Sequence, residues 1–394
     1  MSLPHGFLFN GVACGIKASG KSDLAIVATE RDCVAAGVYT QNVVRAASID
    51  WNRNLTPTGN LRAVVVNSGN ANACTGQQGT DNNQTMAAET AALIGCTPQQ
   101  VLVLSTGVIG HTLPMDCIIA GIAAATPGLG AGMEDFELAA NAILTTDKSA
   151  KTIHQSIEVN GQTINISGMA KGAGMIGPNM ATMLAVMTTD AKLTLAAAQT
   201  ILQSVADASF NRISVEGHTS TNDALLLLCS GESTPSLESE TELKAFESAL
   251  TKSCIELAKR IPADGEGATH LIEINVVGAG SVAEADQVAR TIAASALVKT
   301  AVTGADPNWG RIVSAAGYSG ISMNVGEIDL HINGHCVFRG GQPVKFDAAT
   351  VSQAMAGKFE TNIDLRIGNS DISATHWTSD LTVEYVRFNS EYTT

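Results

Sequence analysis

Short runs of apolar, often β-branched residues alternate along this chain with longer stretches in which apolar positions recur at helical spacing. The segments that predict strands are residues 62–67, 101–104 and 270–277, together with a hairpin over 156–166 that turns at Asn160-Gly161. The segments that predict helices are residues 80–94, 193–209, 240–260 and 283–298, the first of which ends at Gly95. This alternation predicts the α/β fold class, with sheets and helices in layers.

The last third of the chain has a different pattern from the part before it. Residues 328–338 and the strands near the end are separated by a helical segment at 346–356, which predicts a smaller α+β unit. We therefore expect two domains, a large layered α/β domain over residues 1–277 and a smaller α+β domain over residues 278–394.

The composition restricts the classes of function. Hydrophobic residues make up 45% of the chain and charged residues 15%, which favours a compact enzyme over a disordered protein. The formal net charge is −14 and no Lys/Arg cluster is visible, so we expect no nucleic-acid partner. Neither a membrane-length apolar run nor a secretory signal is recognisable. The eight cysteines form no C-x-x-C pair, which favours buried thiols in a cytoplasmic protein.

Two glycine-rich segments match nucleotide-binding patterns but lack the context that such sites need. Residues 15–22, GIKASGKS, fit the phosphate-loop pattern, yet a phosphate loop opens a helix and the residues after Ser22 predict a strand. We expect a turn between two strands there. Residues 278–283 fit the dinucleotide fingerprint, but the acidic residue expected about 20 positions later is missing. His331 and His335 are interpreted as surface residues and not as metal ligands.

The segment with the most chemical content is residues 171–184, KGAGMIGPNMATML, in which a glycine-rich loop runs into Thr182. A hydroxyl needs a base to become a nucleophile, and an N-terminal threonine carries its own base, an α-amine with a pKa of about 7.7–8.0. The hypothesis is that the Thr182 hydroxyl attacks the Ala181 carbonyl and that hydrolysis of the resulting ester frees Thr182 as a catalytic N-terminus. Taken alone, such a pattern more often belongs to a structural loop that enters a strand.

A candidate oxyanion hole lies elsewhere in the chain. Self-cleavage and acyl transfer both pass through a tetrahedral oxyanion, which requires hydrogen-bond donors. Ser105-Thr106-Gly107 follows the predicted strand 101–104, so a hydroxyl and a backbone N–H at a strand end could supply these donors.

Several long motifs are spread over nearly the whole chain: GVACGIK (11–17), VVVNSGNANACTG (64–76), LSTGVIG (104–110), ILTTD (143–147), KGAGMIGPNMATML (171–184), SFNRISVEGHTSTND (209–223), DGEGATH (264–270), LVKTAVTGADPNWGRIVSAAGYSG (297–320) and YVRFNSEYTT (385–394). In this order they resemble the glutamate N-acetyltransferase/ornithine acetyltransferase family of arginine biosynthesis. One position departs from the family, which commonly has Asp where this chain has His218. We expect that difference to affect local hydrogen bonding and the pH response.

The resemblance implies a fold and a set of site residues. The fold would be the layered ornithine acetyltransferase type, related to N-terminal-nucleophile aminopeptidases, with the C-terminal tail returning to the active site. Cleavage between Ala181 and Thr182 would give an α chain (1–181) and a β chain (182–394) that assemble as an α2β2 heterotetramer. Thr106 and Gly107 correspond to the family's oxyanion hole. The positions that correspond to substrate contacts are Thr145 (favoured over Thr146), Lys171, Thr182, Glu266, Asn389 and Thr394.

The reaction that the resemblance implies is a two-step acetyl transfer. N2-acetyl-L-ornithine would acetylate Thr182 and release L-ornithine, and L-glutamate would then take the acetyl group to give N-acetyl-L-glutamate. No metal or organic cofactor is implied, and the use of acetyl-CoA as a further donor stays open. The alternative enzyme is an aminopeptidase or amidase of related fold, in which water resolves the acyl-enzyme. The alternative from another class is a nucleotide-binding protein built on residues 15–22.

Overall fold

The structure is a computed structural model that describes residues 2–177, 183–233 and 236–391. The strands are β1 (Phe7–Val12), β2 (Leu24–Tyr39), β3 (Thr58–Asn70), β4 (Val101–Val108), β5 (Lys151–Val159), β6 (Gln162–Lys171), β7 (Leu184–Thr189), β8 (Ile213–Ser214), β9 (Ala224–Cys229), β10 (Leu271–Val277), β11 (Asp329–Ile332), β12 (His335–Arg339), β13 (Gln342–Pro343), β14 (Glu360–Arg366) and β15 (Ser373–Ser379). The helices are α1 (Ala47–Leu55), α2 (Gly76–Ile94), α3 (Met115–Ala125), α4 (Met133–Ala142), α5 (Leu195–Ala208), α6 (Glu240–Ala263), α7 (Val282–Ala294), α8 (Ala296–Thr303), α9 (Trp309–Gly317), α10 (Ala348–Ala356) and α11 (Val383–Glu391).

The described residues fall into two compact units. Unit 1 contains the residues up to Asn211 and those of 218–261, and unit 2 contains residues 212–217 and those from Pro262 onward. The predicted boundary after residue 277 would separate β10 from β14 and β15, with which it pairs inside unit 2.

The sheet of unit 1 is covered on both faces by apolar side chains. Its strand order is β4-β3-β2-β9-β7-β6-β5, and β1 pairs with β2. Along β2, Leu24 and Ile26 belong to one hydrophobic cluster and Ala25 and Val27 to another, because successive side chains of a strand point to opposite faces. Residues of α2 and α3 complete the first cluster, and residues of α4 complete the second. The prediction of a mixed α/β fold is therefore confirmed.

Strand β2 carries this sheet around a bend. Its pairing with β3 shifts register between Ala28 and Cys33 and again before Ala35, and such irregularities bend and twist a strand. Beyond the bend β2 pairs with β9, yet Val64 of β3 and Leu226 of β9 belong to the same hydrophobic cluster. The bend therefore brings the ends of β3 and β4 to the region where β6 ends and β7 and β9 begin.

The sheet of unit 2 has one apolar and one polar face. Its strand order is β13-β12-β11-β14-β10-β15-β8. Ile272, Ile274 and Val276 of β10 share a hydrophobic cluster with residues of α7. On the opposite face, Trp377 Nε1 donates a hydrogen bond to Glu273 Oε2 at 2.7 Å. Unit 2 is thus a sheet with helices packed on its apolar face.

Most of the predicted elements are present with shifted ends. Strands β5 and β6 turn at Asn160 and Gly161, whose φ angles of +52° and +74° suit a two-residue hairpin turn. Helix α2 starts earlier than predicted but ends at Gly95, which has the left-handed φ of +78°. The helix predicted over residues 283–298 is wrong in one respect. Ser295 has an extended backbone and caps a second helix, α8.

The phosphate-loop pattern lies in the connection between β1 and β2, as predicted. The residues after it form a strand and not a helix. Asp23 accepts hydrogen bonds from the backbone amides of Cys14, Ile16 and Lys17 at 2.7, 2.7 and 2.9 Å. These amides thus serve the protein's own carboxylate and not a phosphate, so the nucleotide-binding alternative is wrong.

The other weak patterns also have structural explanations. Residues 278–281 connect β10 to α7, which begins at Val282, and residues 299–302 lie within α8, where a dinucleotide fold would have a second strand. His331 and His335 lie on the paired strands β11 and β12, and within the described residues no group of three or more His, Cys, Asp or Glu side chains could hold a metal ion. No helix in the described part of the chain is long and apolar enough to cross a membrane.

Candidate active site

Thr106 and Gly107 lie at the end of β4, beside the parallel strand β3. Thr106 is opposite Ser68, and Gly107 is opposite Gly69. Gly107 has a φ of +134°, and a Cβ at this position would lie only 2.3 Å from the carbonyl carbon of Gly69. Only glycine fits both the angle and the close approach of the two backbones. The two predicted oxyanion-hole residues therefore occupy a tightly defined strand end.

Lys171, the last residue of β6, reaches this strand end with a side chain that is 2% exposed. Its Nζ donates a hydrogen bond to Thr106 Oγ1 at 3.1 Å. An ammonium group can only donate, so the Thr106 oxygen is the acceptor in this contact. The proton of the Thr106 hydroxyl must then point elsewhere, which suits a group that donates to an oxyanion.

Asp147, which sequence reasoning did not single out, connects the Thr145 segment with the end of β6. Its Oδ2 accepts from the Thr145 amide at 3.0 Å, and its Oδ1 accepts from the Gly172 amide at 2.6 Å and from Lys151 Nζ at 2.7 Å. Burial acts to raise the pKa of Asp147, but the charges of Lys171 and Lys151 outweigh it and hold the pKa at about 2. Its place at the end of ILTTD was the available signal, although only the threonines of that motif were considered.

Lys17 adds a third ammonium group to the same region. A Cβ on Gly69 would lie 3.2 Å from Lys17 Cγ, so this side chain runs past the end of β3. Burial lowers the pKa of Lys17 to about 8, and the charge of Lys171 contributes to the lowering while Asp23 opposes it. Its Nζ donates to the Ser22 carbonyl at 2.6 Å. Several lysines thus converge on the strand ends, an environment that favours an anionic ligand.

The cleavage pair predicted from the sequence, Ala181 and Thr182, lies outside the described residues, as does Thr394. The residue directly after the pair is described. Met183 is buried, and its amide donates a hydrogen bond to Asp223 Oδ1 at 2.9 Å. The backbone that follows Thr182 is therefore held by a buried carboxyl group.

Asp223 and its neighbour tie the GHTSTND segment to both parts of the site. Burial raises the pKa of Asp223 well above its usual range, against the opposing effects of the Met183 amide and the Lys171 charge. Asn222 Nδ2 donates to the carbonyls of Ala71 and Ser105, both at 2.7 Å. The position that departs from the family pattern, residue 218, is exposed. The buried end of this segment, and not its exposed histidine, contacts the strand ends.

Within unit 2, the predicted residues Glu266 and Asn389 lie together. Asn389 Nδ2 donates to Glu266 Oε2 at 3.1 Å. Gly267 has a φ of +72°, and a Cβ there would lie 2.4 Å from the Tyr385 amide nitrogen, so the loop after α6 packs directly on α11. Thr382 Oγ1 also donates to the Gly267 carbonyl at 2.7 Å. The structure thus brings these two residues together within unit 2, as it does the four described ones in unit 1.

Comparison with known proteins identifies the family. The ArgJ family profile matches residues 8–394. The chain belongs to the ArgJ family. The arginine biosynthesis bifunctional protein ArgJ of Rhodopirellula baltica is 50% identical over 395 residues, covering 100% of this chain and 96% of that protein. ArgJ of Symbiobacterium thermophilum is 45% identical over 399 residues, covering 100% and 98%. A crystal structure of ArgJ from Bacillus halodurans shares 39% identity, covers 52% of this chain and 97% of its own, and has a TM-score of 0.50.

Membership of the ArgJ family confirms the resemblance carried by the motifs. It makes the protein an acyltransferase of arginine biosynthesis and favours acetyl transfer over the aminopeptidase or amidase alternative. Acyl transfer needs hydrogen-bond donors for an oxyanion and cations for substrate carboxylates. The strand ends of unit 1 carry both kinds of group.

Proposed function

We propose that this ArgJ-family protein transfers an acetyl group from N2-acetyl-L-ornithine to L-glutamate through an acetyl-Thr182 intermediate. The observation that carries the proposal is the buried hydrogen bond from Lys171 to Thr106, beside Gly107 at the end of β4. A carbonyl oxygen facing the Thr106 hydroxyl and the Gly107 amide would gain negative charge beside two hydrogen-bond donors. One such donor typically contributes about 10²–10³-fold to the rate.

In the first half-reaction, the Thr182 α-amine accepts the hydroxyl proton while the oxygen attacks the acetyl carbonyl carbon. The bond from that carbon to the α-nitrogen of ornithine breaks, and the ammonium returns the proton to the leaving nitrogen. In the second half, the amine of glutamate attacks the acetyl ester, the ester bond to Thr182 breaks, and the proton passes back to the threonine oxygen. These steps balance without a metal or an organic cofactor.

Substrate binding is proposed for the residues that the family resemblance assigns. The ammonium of Lys171 supplies a partner for a substrate carboxylate, and the Thr145 segment lies beside it through their shared contact with Asp147. In unit 2, Glu266 supplies a carboxylate that suits a substrate ammonium group, with Asn389 hydrogen-bonded to it. Thr394 is proposed as a further contact on the resemblance alone.

The same oxyanion donors would serve self-cleavage between Ala181 and Thr182. The hydrogen bond from the Met183 amide to Asp223 supports this proposal, because it anchors the chain directly after the scissile bond. The B. halodurans chain is matched over 97% of its own length but covers only 52% of this chain. Such coverage is expected when the relative consists of two chains and only one of them is compared. The α2β2 assembly and a cytoplasmic location stay predictions.

Intact mass spectrometry tests the proposal on the purified protein. We expect separate chains of residues 1–181 and 182–394. The second chain should gain one acetyl group on incubation with N2-acetyl-L-ornithine, and it should lose that group when L-glutamate is added. The Thr182→Ala variant should stay a single chain, whereas Thr126→Ala, a change at the end of α3, should cleave normally. An uncleaved wild-type chain, or release of free acetate without dependence on glutamate, would overturn the proposal.

Acetyl-CoA is proposed as a second donor, since the curated relatives are named bifunctional. The same mass measurement with acetyl-CoA in place of N2-acetyl-L-ornithine tests this extension. Acetylation of the chain that begins at Thr182, discharged by glutamate, would support it. A chain that acetyl-CoA leaves unmodified would limit the protein to the ornithine-dependent reaction.

A further inference from the structure

We infer that Asp147 is a positioning residue for acetyl transfer. Its carboxylate holds the backbone of Thr145, which is proposed to contact the substrate, and the end of β6, from which Lys171 reaches Thr106. This inference rests on the proposed function, because it assigns a task within the same site. Asp147 does not itself touch Thr106, so its effect passes through Lys171.

The hydrogen bonds of Asp147 join two segments that are distant in sequence. Its Oδ2 accepts from the Thr145 amide at 3.0 Å, on the segment that precedes β5, and its Oδ1 accepts from the Gly172 amide at 2.6 Å, just after β6. Hydrogen bonds to an ionised acceptor are roughly twice as strong as neutral ones. Because Gly172 follows Lys171 directly, this contact fixes the backbone from which the Lys171 side chain extends toward Thr106.

The negative charge of Asp147 interacts favourably with the ammonium groups of Lys171 and Lys151. The charged and titratable groups that act on Lys171 or on Asp147 include Lys151 of β5, Lys17 of the β1–β2 connection and Asp223, directly before β9. Burial favours the neutral form of Asp223, whereas Asp147 stays ionised. Asp147 thus supplies a negative charge beside the ammonium groups of Lys171 and Lys151 in this buried region.

Lys151 gives the inference a discriminating second position. It lies on β5 opposite Ala170, one residue before Lys171, and its Nζ donates to Asp147 Oδ1 at 2.7 Å. Without the carboxylate, the positive charge of Lys151 would act directly against that of Lys171. Removing Lys151 as well should therefore relieve part of the damage, which a purely structural role of Asp147 would not predict.

The test compares the variants Asp147→Asn, Lys151→Met, the double variant Asp147→Asn/Lys151→Met and the control Asp190→Asn with the wild type. Asp190 is also a buried carboxylate of unit 1, but it accepts hydrogen bonds from Asn165 and not from a lysine. Intact mass reports self-cleavage. The kcat/KM for glutamate-dependent transfer is measured from about pH 6 to about pH 9, a range in which a lysine of ordinary pKa stays protonated.

For Asp147→Asn we expect kcat/KM to fall by about 10²-fold, the order of effect of losing one oxyanion donor. The loss should deepen as the pH rises, because the ammonium form of Lys171 has lost its favourable interaction with the Asp147 carboxylate. The double variant should recover about tenfold of the loss and flatten the pH profile. Asp190→Asn should keep the wild-type pH profile.

A wild-type pH profile in Asp147→Asn, or a double variant no better than the single one, would overturn the inference. If Asp147→Asn fails to fold or to cleave, Asp147→Glu carries the test. That variant keeps the charge, so it should lose kcat/KM while retaining the wild-type pH profile, and an altered profile would contradict the inference. Failure of the proposed function would appear in the wild type itself, as an absence of glutamate-dependent transfer.

Discussion

Lys171 in unit 1 and Lys299 in unit 2 are buried to a similar extent, and each donates a hydrogen bond to a threonine hydroxyl. Lys171 is 2% exposed and reaches Thr106 Oγ1 at 3.1 Å, whereas Lys299 is 5% exposed and reaches Thr378 Oγ1 at 3.3 Å. Both lie within motifs that resemble the same family. Neither burial nor motif membership distinguishes a site residue from a structural one here.

The surroundings of the two lysines do distinguish them. Lys299, on α8, also donates to the Val215 carbonyl, so its ammonium ties together segments far apart in sequence. Burial lowers its pKa to about 8, with Glu216 and Asp380 opposing the shift. Lys171 instead stands near an ionised buried carboxylate, and the Thr106 hydroxyl that it contacts donates a hydrogen bond to no described residue. A buried lysine indicates a catalytic site when the hydroxyl that accepts its hydrogen bond can still donate one to a ligand.

The largest effect is expected when each lysine is replaced by methionine. Lys171→Met should lower kcat/KM by about 10³-fold, or about 4 kcal/mol in the barrier. The change removes both the ammonium group that binds a substrate carboxylate and the hydrogen bond that orients Thr106. Lys299→Met should change kcat/KM by less than about tenfold and should act mainly on the free energy of unfolding. Steady-state kinetics and denaturant unfolding of both variants check this. Equal losses of activity would remove the distinction between the two lysines.

A smaller loss of activity is expected when the backbone at the end of β4 is displaced by the substitution Gly107→Ala. In Gly107→Ala the new Cβ would lie 2.3 Å from the carbonyl carbon of Gly69, so the end of β4 must move and carry the Gly107 amide with it. We expect kcat/KM and the self-cleavage rate to fall by about 10²-fold. The control is Gly110→Ala, where φ is +82° but a Cβ would meet no described atom within 4 Å. Equal rates for the two variants, from kinetics and timed intact mass, would argue against a site at this strand end.

The third expected effect concerns the pH dependence of the free energy of unfolding and belongs to Lys299. Its folded pKa of about 8 lies below the unfolded value of about 10.4, so between these pH values the unfolded chain holds a proton that the folded chain has released. The free energy of unfolding should therefore rise with pH in this range by up to about 1.4 kcal/mol per unit, and Lys299 should add no slope below pH 8. Lys17, whose pKa is lowered in the same way, contributes to both proteins, so urea unfolding from pH 8 upward should show a steeper rise in the wild type than in Lys299→Met. A difference between the two proteins that is independent of pH would contradict it.

The features of the fold that could be predicted depend on residues close together in the chain. The turn at Asn160-Gly161 and the helix end at Gly95 follow from the ease with which these residues adopt positive φ angles. The bend in β2 could not be predicted, because it depends on an irregular pairing with β3 on one edge and on a pairing with β9, far away in sequence, on the other.

The site was predictable as a set of residues but not as a set of contacts. The motifs pointed to Thr106 and Lys171, yet nothing in the sequence indicated that two residues 65 positions apart share a hydrogen bond. Asp147 was overlooked for a related reason. A carboxylate next to threonines usually marks a solvated turn, and only the fold reveals that this one is buried among lysines.

The strand order of unit 1 has a consequence for a chain that is cut between Ala181 and Thr182. Strands β7 and β9 lie between β2 and β6, and the β6–β7 ladder runs over six residue pairs from Ile166↔Thr189 to Lys171↔Leu184. After the cut, these two central strands would belong to one polypeptide and the strands on either side to the other. The two products would then complement one sheet, each covering backbone edges that the other leaves open. The two cleavage products could separate only if the sheet of unit 1 unfolded. They should therefore stay together although the peptide bond between them is broken.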